Sequence, residues 1–110
     1  MLKTASGDAK RIERERLAWA TPLAQLVRAA VAAYRGEAST AVDTLSGAAA
    51  DFDAADMTLF AAAARWRHGE LQGGDAGAEA IRSADGSMRA QGIANPGRVV
   101  DTLAPGFPGE

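Results

Sequence analysis

Arg65, Trp66, Arg67 and His68 are consecutive, and Gly69, Gly73, Gly74 and Gly77 follow closely. No other part of the chain gathers so many groups able to do chemistry. A phosphate-binding loop would need a preceding strand and a lysine followed by serine or threonine. Here a helix-forming run precedes, and the only lysines are Lys3 and Lys10. A helix end followed by a cap accounts for Gly73, Gly74 and Asp75 equally well. His68, as a metal ligand on a helix, would want a second ligand three or four residues on; those positions hold Leu71 and Gln72. Nothing in the spacing brings it a nucleophile or an orienting carboxylate, and a histidine near a helix C-terminus is favoured by the helix dipole alone. Asp51, Asp53 and Asp56 lack the spacing of a calcium loop and read as a charged helix end. The sequence thus predicts no catalytic, cofactor-binding or metal-ligating residue and no enzyme.

Arginine beside an aromatic ring can also grip a nucleic acid. Arg65 and Arg67, however, point about 200° apart on a helix, and the formal net charge is −2. A small helical nucleic-acid-binding regulator is therefore only the alternative reading. What remains is contact chemistry: Gln25, Arg28, Arg65 and Arg67 are the polar residues expected to line a surface for a protein or peptide partner.

These residues need elements to hold them. Hydrophobic residues make up 47% of the 110-residue chain, mostly as alanine, with few aromatics. Alanine favours helix and disfavours strand, so the expected fold is all-α. Residues 1–7 read as a frayed start, and Asp8 as the cap of a first helix to about Ala20. That helix places Ile12 and Trp19 on one face, with the alternating charges of KRIERER solvated. Thr21-Pro22 carries a cap-plus-proline start signal. A second helix, with Leu23, Leu26, Val27, Ala30, Val31 and Tyr34 recurring at helical spacing, then runs to Tyr34 and stops at Gly36. A third carries Ala38, Ala41, Val42, Leu45, Ala48, Ala49 and Phe52, with Gly47 tolerated where a neighbour approaches closely. Asp56 is expected to cap a fourth, ending near Leu71, and Asp75 a fifth, to about Gln91. Gly77 and Gly86 weaken that last assignment. Gly92 with Ile93 folding back forms its end, and Asn95-Pro96 starts a short helix bearing Val99, Val100 and Leu103. About five helices plus a short terminal one, joined by tight turns, predict antiparallel hairpins in one domain over 8–107, with a 108–110 tail.

There is no cysteine, which removes disulfides and thiolate metal sites. The N-terminus lacks the apolar core of a signal peptide, and no run approaches the roughly 18 apolar residues of a membrane span. A cytoplasmic protein without membrane association is expected.

Repetition supplies the last clue. Gly36-Glu37 is echoed by Gly74-Asp75 about 38 residues further on, near the period of the tetratricopeptide repeat. Ala29, Gly36-Glu37, Ala41, Leu45 and Ala48 resemble that repeat over 20–54: small residues let two helices approach, and a larger one plugs the groove. Gln25 and Arg28 stand where the repeat has its tryptophan and leucine-glycine pair, and Glu79, Ser83 and Gly86 weaken the likeness over 56–91. More specifically, RIERERLAWATPLAQLVRAAVAAYRGE, FDAADMTLFAAAARWRHGELQGGD and above all AQGIANPGRVVDTLAPGF (Ala90 to Phe107) resemble the C-terminal end of large bacterial serine/threonine kinase–ATPase signalling proteins. That resemblance implies a non-catalytic, terminal stretch of a helical-repeat array. No kinase signature is present, so no enzymatic residue carries over. Its partner would be a protein, a peptide, or preceding repeats. With barely more than two repeats, Ile12 and Trp19 are expected to face a missing neighbour, where the chain could self-associate.

Overall fold

A computed structural model describes residues 2–108, with side chains from residue 18 onward. Its helices are, in chain order, α1 (Leu2–Tyr34), α2 (Ala38–Ala54), α3 (Thr58–Gln72), α4 (Gly74–Ala90) and α5 (Pro96–Leu103). α1 packs on α2, α2 on α3, and α3 on α4, while α5 lies across α3 and α4. The fold is all-α, consecutive hairpins in a stack, and the described residues contain no strand. None of its helices is long and apolar enough to cross a membrane.

The first two expected helices are one. Thr21-Pro22 lies inside the 33-residue α1 rather than at a helix start. Asp8 and residues 2–7 also fall within that helix. A proline inside a helix removes one backbone hydrogen bond and ordinarily costs about 3 kcal/mol. Here its ring is fully buried, beside Ala54 and Ala55 at the end of α2. Burial on the hairpin's inner side offsets the lost bond, so the local start signal yields to packing. α2 has only 17 residues, so the N-terminal part of α1 runs past its end. There lies Ile12, whose side chain is outside the described residues.

Two of the turns are near copies. At the end of α1, the Gly36 N–H donates to the Ala33 carbonyl and the Glu37 N–H to that of Ala32, at 3.1 and 2.8 Å. At the end of α2, Asp56 donates to Asp53 and Met57 to Phe52, at 3.1 and 2.8 Å. Both are Schellman ends, with the left-handed position held by Gly36 at φ 81° and by Asp56 at φ 59°. The carbonyls of Glu37 and Met57 then accept from Ala41 and Ala61 to begin the next helix. Asp56 therefore ends α2 instead of capping α3. The partner of the Gly36-Glu37 turn is Asp56-Met57, and Gly74-Asp75 echoes it only in composition. α3 and α4 are joined by Gly73 alone, at φ 70°, whose N–H donates to Gly69 and whose carbonyl accepts from Gly77, both at 3.0 Å. Asp75 sits in the first turn of α4, where the dipole favours a carboxylate. Gly92 and Ile93 end α4 as expected, and the Asn95 side chain caps α5 by accepting from the Arg98 N–H at 3.3 Å.

The core consists of small residues with a few plugs. Ala29, Ala41, Ala48, Ala61, Ala63 and Ala64 are fully enclosed, as are Leu45, Phe52 and Met88. The rings of Phe52 and Phe60 stack at 5.2 Å between centroids. The tightest approach is glycine on glycine. A Cβ on Gly69 would sit 2.7 Å from the Gly77 carbonyl oxygen, and one on Gly77 would press still closer to Gly69. Gly77, which weakens α4 as an isolated helix, is what lets α3 and α4 meet. Gly47 shows the reverse. Nothing lies within 4 Å of where its Cβ would be, nor at Gly86, so no close neighbour accounts for Gly47.

These environments give opposite signs for one substitution. Gly69→Ala and Gly77→Ala should destabilise by about 1–3 kcal/mol through overpacking, despite alanine's better helix propensity. Gly47→Ala and Gly86→Ala should stabilise by about 0.5–1 kcal/mol each. Urea unfolding of the four variants checks this. Asp56→Gly should add up to about 1 kcal/mol by relieving the left-handed position, a gain that an N-capping aspartate would not give.

Candidate interaction surface

Arg67 is expected at the surface, and the structure corrects this: it is 3% exposed. Phe60, Ala63, Ala64 and Arg67 follow one helical stripe, so the inward face of α3 carries the arginine into the molecule. Its Nε donates to the Ala104 carbonyl at 3.0 Å, Nη1 to Glu70 Oε1 at 3.0 Å, and Nη2 to Asp101 Oδ1 at 3.3 Å. The guanidinium also lies over the Phe107 ring, 5.3 Å from its centroid. A buried guanidinium needs partners around its whole edge, and Glu70 of α3, the end of α5 and the chain after it supply them. The signal was present in the sequence as the spacing of residues 60, 63, 64 and 67, with Glu70 one turn on.

Held there, the C-terminal segment forms a strap. Ala104 and Phe107 are buried, and Gly106 reaches α1, where a Cβ would stand 3.7 Å from that of Ala30. Pro105 and Gly106 thereby form one wall of a shallow groove whose other wall is Val27, Val31 and Tyr34 of α1 with Arg35 just beyond it. On that outer face Val27 is 64% exposed, Val31 45% and Tyr34 80%. With Trp19, 52% exposed and nearer the N-terminus, these are the large hydrophobic side chains left in solvent among the described residues. All lie on α1. Val27, Val31 and Tyr34 are spaced four and three apart and share one face. Arg28 and Arg35, seven apart, border that face in a second hollow with Val27, Val31 and Glu37. Among the described residues neither arginine forms an ion pair.

The other expected site residues scatter. Arg65 is exposed but pairs with Asp53 of α2. Its hydrogen bond holds the Asp53 carboxyl below the usual carboxylate range. Gln25 is half-buried, its Oε1 enclosed with no hydrogen-bond partner among the described residues. Of the four residues, Arg28 alone joins the α1 face. Arg65 and Arg67 form no basic patch, one being neutralised and the other enclosed, so their nucleic-acid reading loses its footing. Trp66 is half-buried against the core, as a plug between helices would be. His68 lines a cleft between α2, α3 and α4 with Ser46, Arg65, Gln72 and Ser83. Asp51, Asp53 and Asp56 part company: one borders the Pro22 hollow, one pairs with Arg65, one ends α2. Sequence reasoning missed Val27, Val31 and Tyr34 as surface residues because their helical periodicity reads as core.

No family model, curated protein or solved structure matches the chain.

Arg67→Ala should cost about 2–3 kcal/mol, because the enclosed Ala104 carbonyl and the Phe107 ring lose their partner. Hydrogen exchange should quicken first in residues 96–107, and Arg67→Lys should not restore protection, since an ammonium cannot serve three directions of a fork. The Asp53–Arg65 pair behaves differently. A depressed folded pKa contributes stability above the unfolded value near 3.9, lost as pH falls through the folded value. Both partners are well exposed, so Asp53→Asn should cost no more than about 0.5 kcal/mol at pH 7. The difference from wild type should vanish at low pH in parallel melts.

Proposed function

We propose that this chain is a non-catalytic helical-hairpin module that binds a protein or peptide partner through the outer face of α1. The observation that carries the reading is the stripe of Val27, Val31 and Tyr34, left in solvent while the core is built largely from alanine. Contiguous exposed apolar side chains bordered by charge are the usual mark of a contact surface. A stack of hairpins presents such a face on a rigid support. The likeness of Ala90 to Phe107 to the close of the kinase–ATPase proteins is what would place the module at the end of a signalling array.

A peptide library displayed on phage and selected against the folded chain tests the module. Enriched peptides should bind wild type and lose binding to Tyr34→Asp, a substitution at an exposed position that leaves the core untouched. Selection that enriches nothing, or peptides indifferent to Tyr34→Asp, would remove this reading. Salt-sensitive binding of DNA or RNA near physiological ionic strength would replace it with the nucleic-acid alternative.

A further inference from the structure

We infer that the partner segment for the outer face of α1 is an acidic amphipathic helix, its apolar stripe seated on Val27, Val31 and Tyr34 and its carboxylates on Arg28 and Arg35. The inference rests on the partner-binding reading above and adds the chemistry of the partner. Three observations carry it. The apolar side chains recur at helical spacing along a single helix, so the complement that meets all three is another helix crossing at a shallow angle. The arginines stand seven residues apart on one border of the stripe, and each lines a hollow that also contains a stripe valine. Neither is neutralised within the described residues, whereas Arg65, Arg67, Arg82 and Arg89 all have carboxylate partners; Arg98, likewise without an ion pair among the described residues, lies on α5.

The chain's overall charge is acidic, so two uncompensated arginines beside an apolar strip are a local exception. Glu37 shares their hollow without pairing with either. An approaching carboxylate would therefore meet open guanidinium edges able to hold it with two hydrogen bonds each. On the opposite border the strap residues Pro105 and Gly106 close the groove. That leaves the polar contacts to one side and fixes how the partner's charge must be placed. A partner with carboxylates on the arginine side fits; a basic one meets like charge.

Two labelled synthetic helices test this by fluorescence anisotropy against the full chain. One carries leucines at positions i, i+4 and i+7 with flanking glutamates; the other has lysines in place of the glutamates. Wild type should prefer the glutamate peptide by about tenfold or more. The double variant Arg28→Glu/Arg35→Glu should invert that preference, and Tyr34→Ala should weaken both peptides without changing their order. All these positions are exposed, and circular dichroism of each variant confirms an unchanged fold. Equal affinity for the two peptides, binding of neither, or a preference that survives the arginine reversal overturns the inference. So does a dimer in sedimentation that Tyr34→Asp dissolves, since a second copy would then cover the face. Displayed peptides that depend on Tyr34 but are neutral or basic would leave the module reading standing and remove only the acidic partner.

Discussion

The guanidinium of Arg67 lies under the segment that follows α5, and a charge can stay there only while every edge of it is met. Its partners come from α3 itself, from the last turn of α5, from the backbone where that helix ends, and from an aromatic face beyond. The arrangement adds a fixed polar anchor to parts of the molecule that also meet through the buried Val100, Ala104 and Phe107. α5 has eight residues, too few to be stable as an isolated helix. The segment after it has two prolines and two glycines in seven residues, a composition that does not continue a helix. The buried charge gives both a fixed address. The outer groove on α1 depends on this in turn, because its second wall is the strap that Arg67 holds.

The rest of the stack obeys a constraint of size. Helices that meet through alanine and glycine come closer than helices that meet through leucine, and each contact is correspondingly intolerant of added volume. Gly69 against Gly77 is the limiting case, backbone to backbone. Close approach leaves little room for large apolar side chains between helices. The core accordingly has few plugs, Leu45, Phe52 and Met88 among them. The valines and the tyrosine of α1 are not needed inside, which is why their exposure carries information.

Much of this was legible in the sequence, and the misreadings share one cause. Alanine content gave the class; Gly36, Gly92 and Asn95-Pro96 gave helix ends, because each acts through its own backbone. Thr21-Pro22 carried an equally good local signal and was overruled, because Pro22 finds the end of α2 to pack against. Asp56 looked like a cap since aspartate suits both an N-cap and a left-handed C-terminal position, and the sequence does not say which helix uses it. Arg67 was hidden by its charge: the stripe of Phe60, Ala63 and Ala64 runs straight into it, but a guanidinium is read as exposed unless its partners are known. Two of those partners, Asp101 and Ala104, lie more than 30 residues away, beyond the reach of any periodicity. Val27, Val31 and Tyr34 failed in the opposite direction, since a helical apolar stripe reads as core whether or not anything covers it.

The strap has a further consequence in time rather than space. Each long helix packs on its neighbour in the chain, so most of the fold assembles from local encounters, and topologies of that kind form quickly. The strap closes long loops, from Ala104 back to Arg67 and from Gly106 back to Ala30, and long closures carry the larger entropic cost. The hairpins must also be in place before there is an inner face of α3 to receive it. The strap is thus the last part to settle, and until it does, the charge of Arg67 remains in water and one wall of the groove has yet to be built.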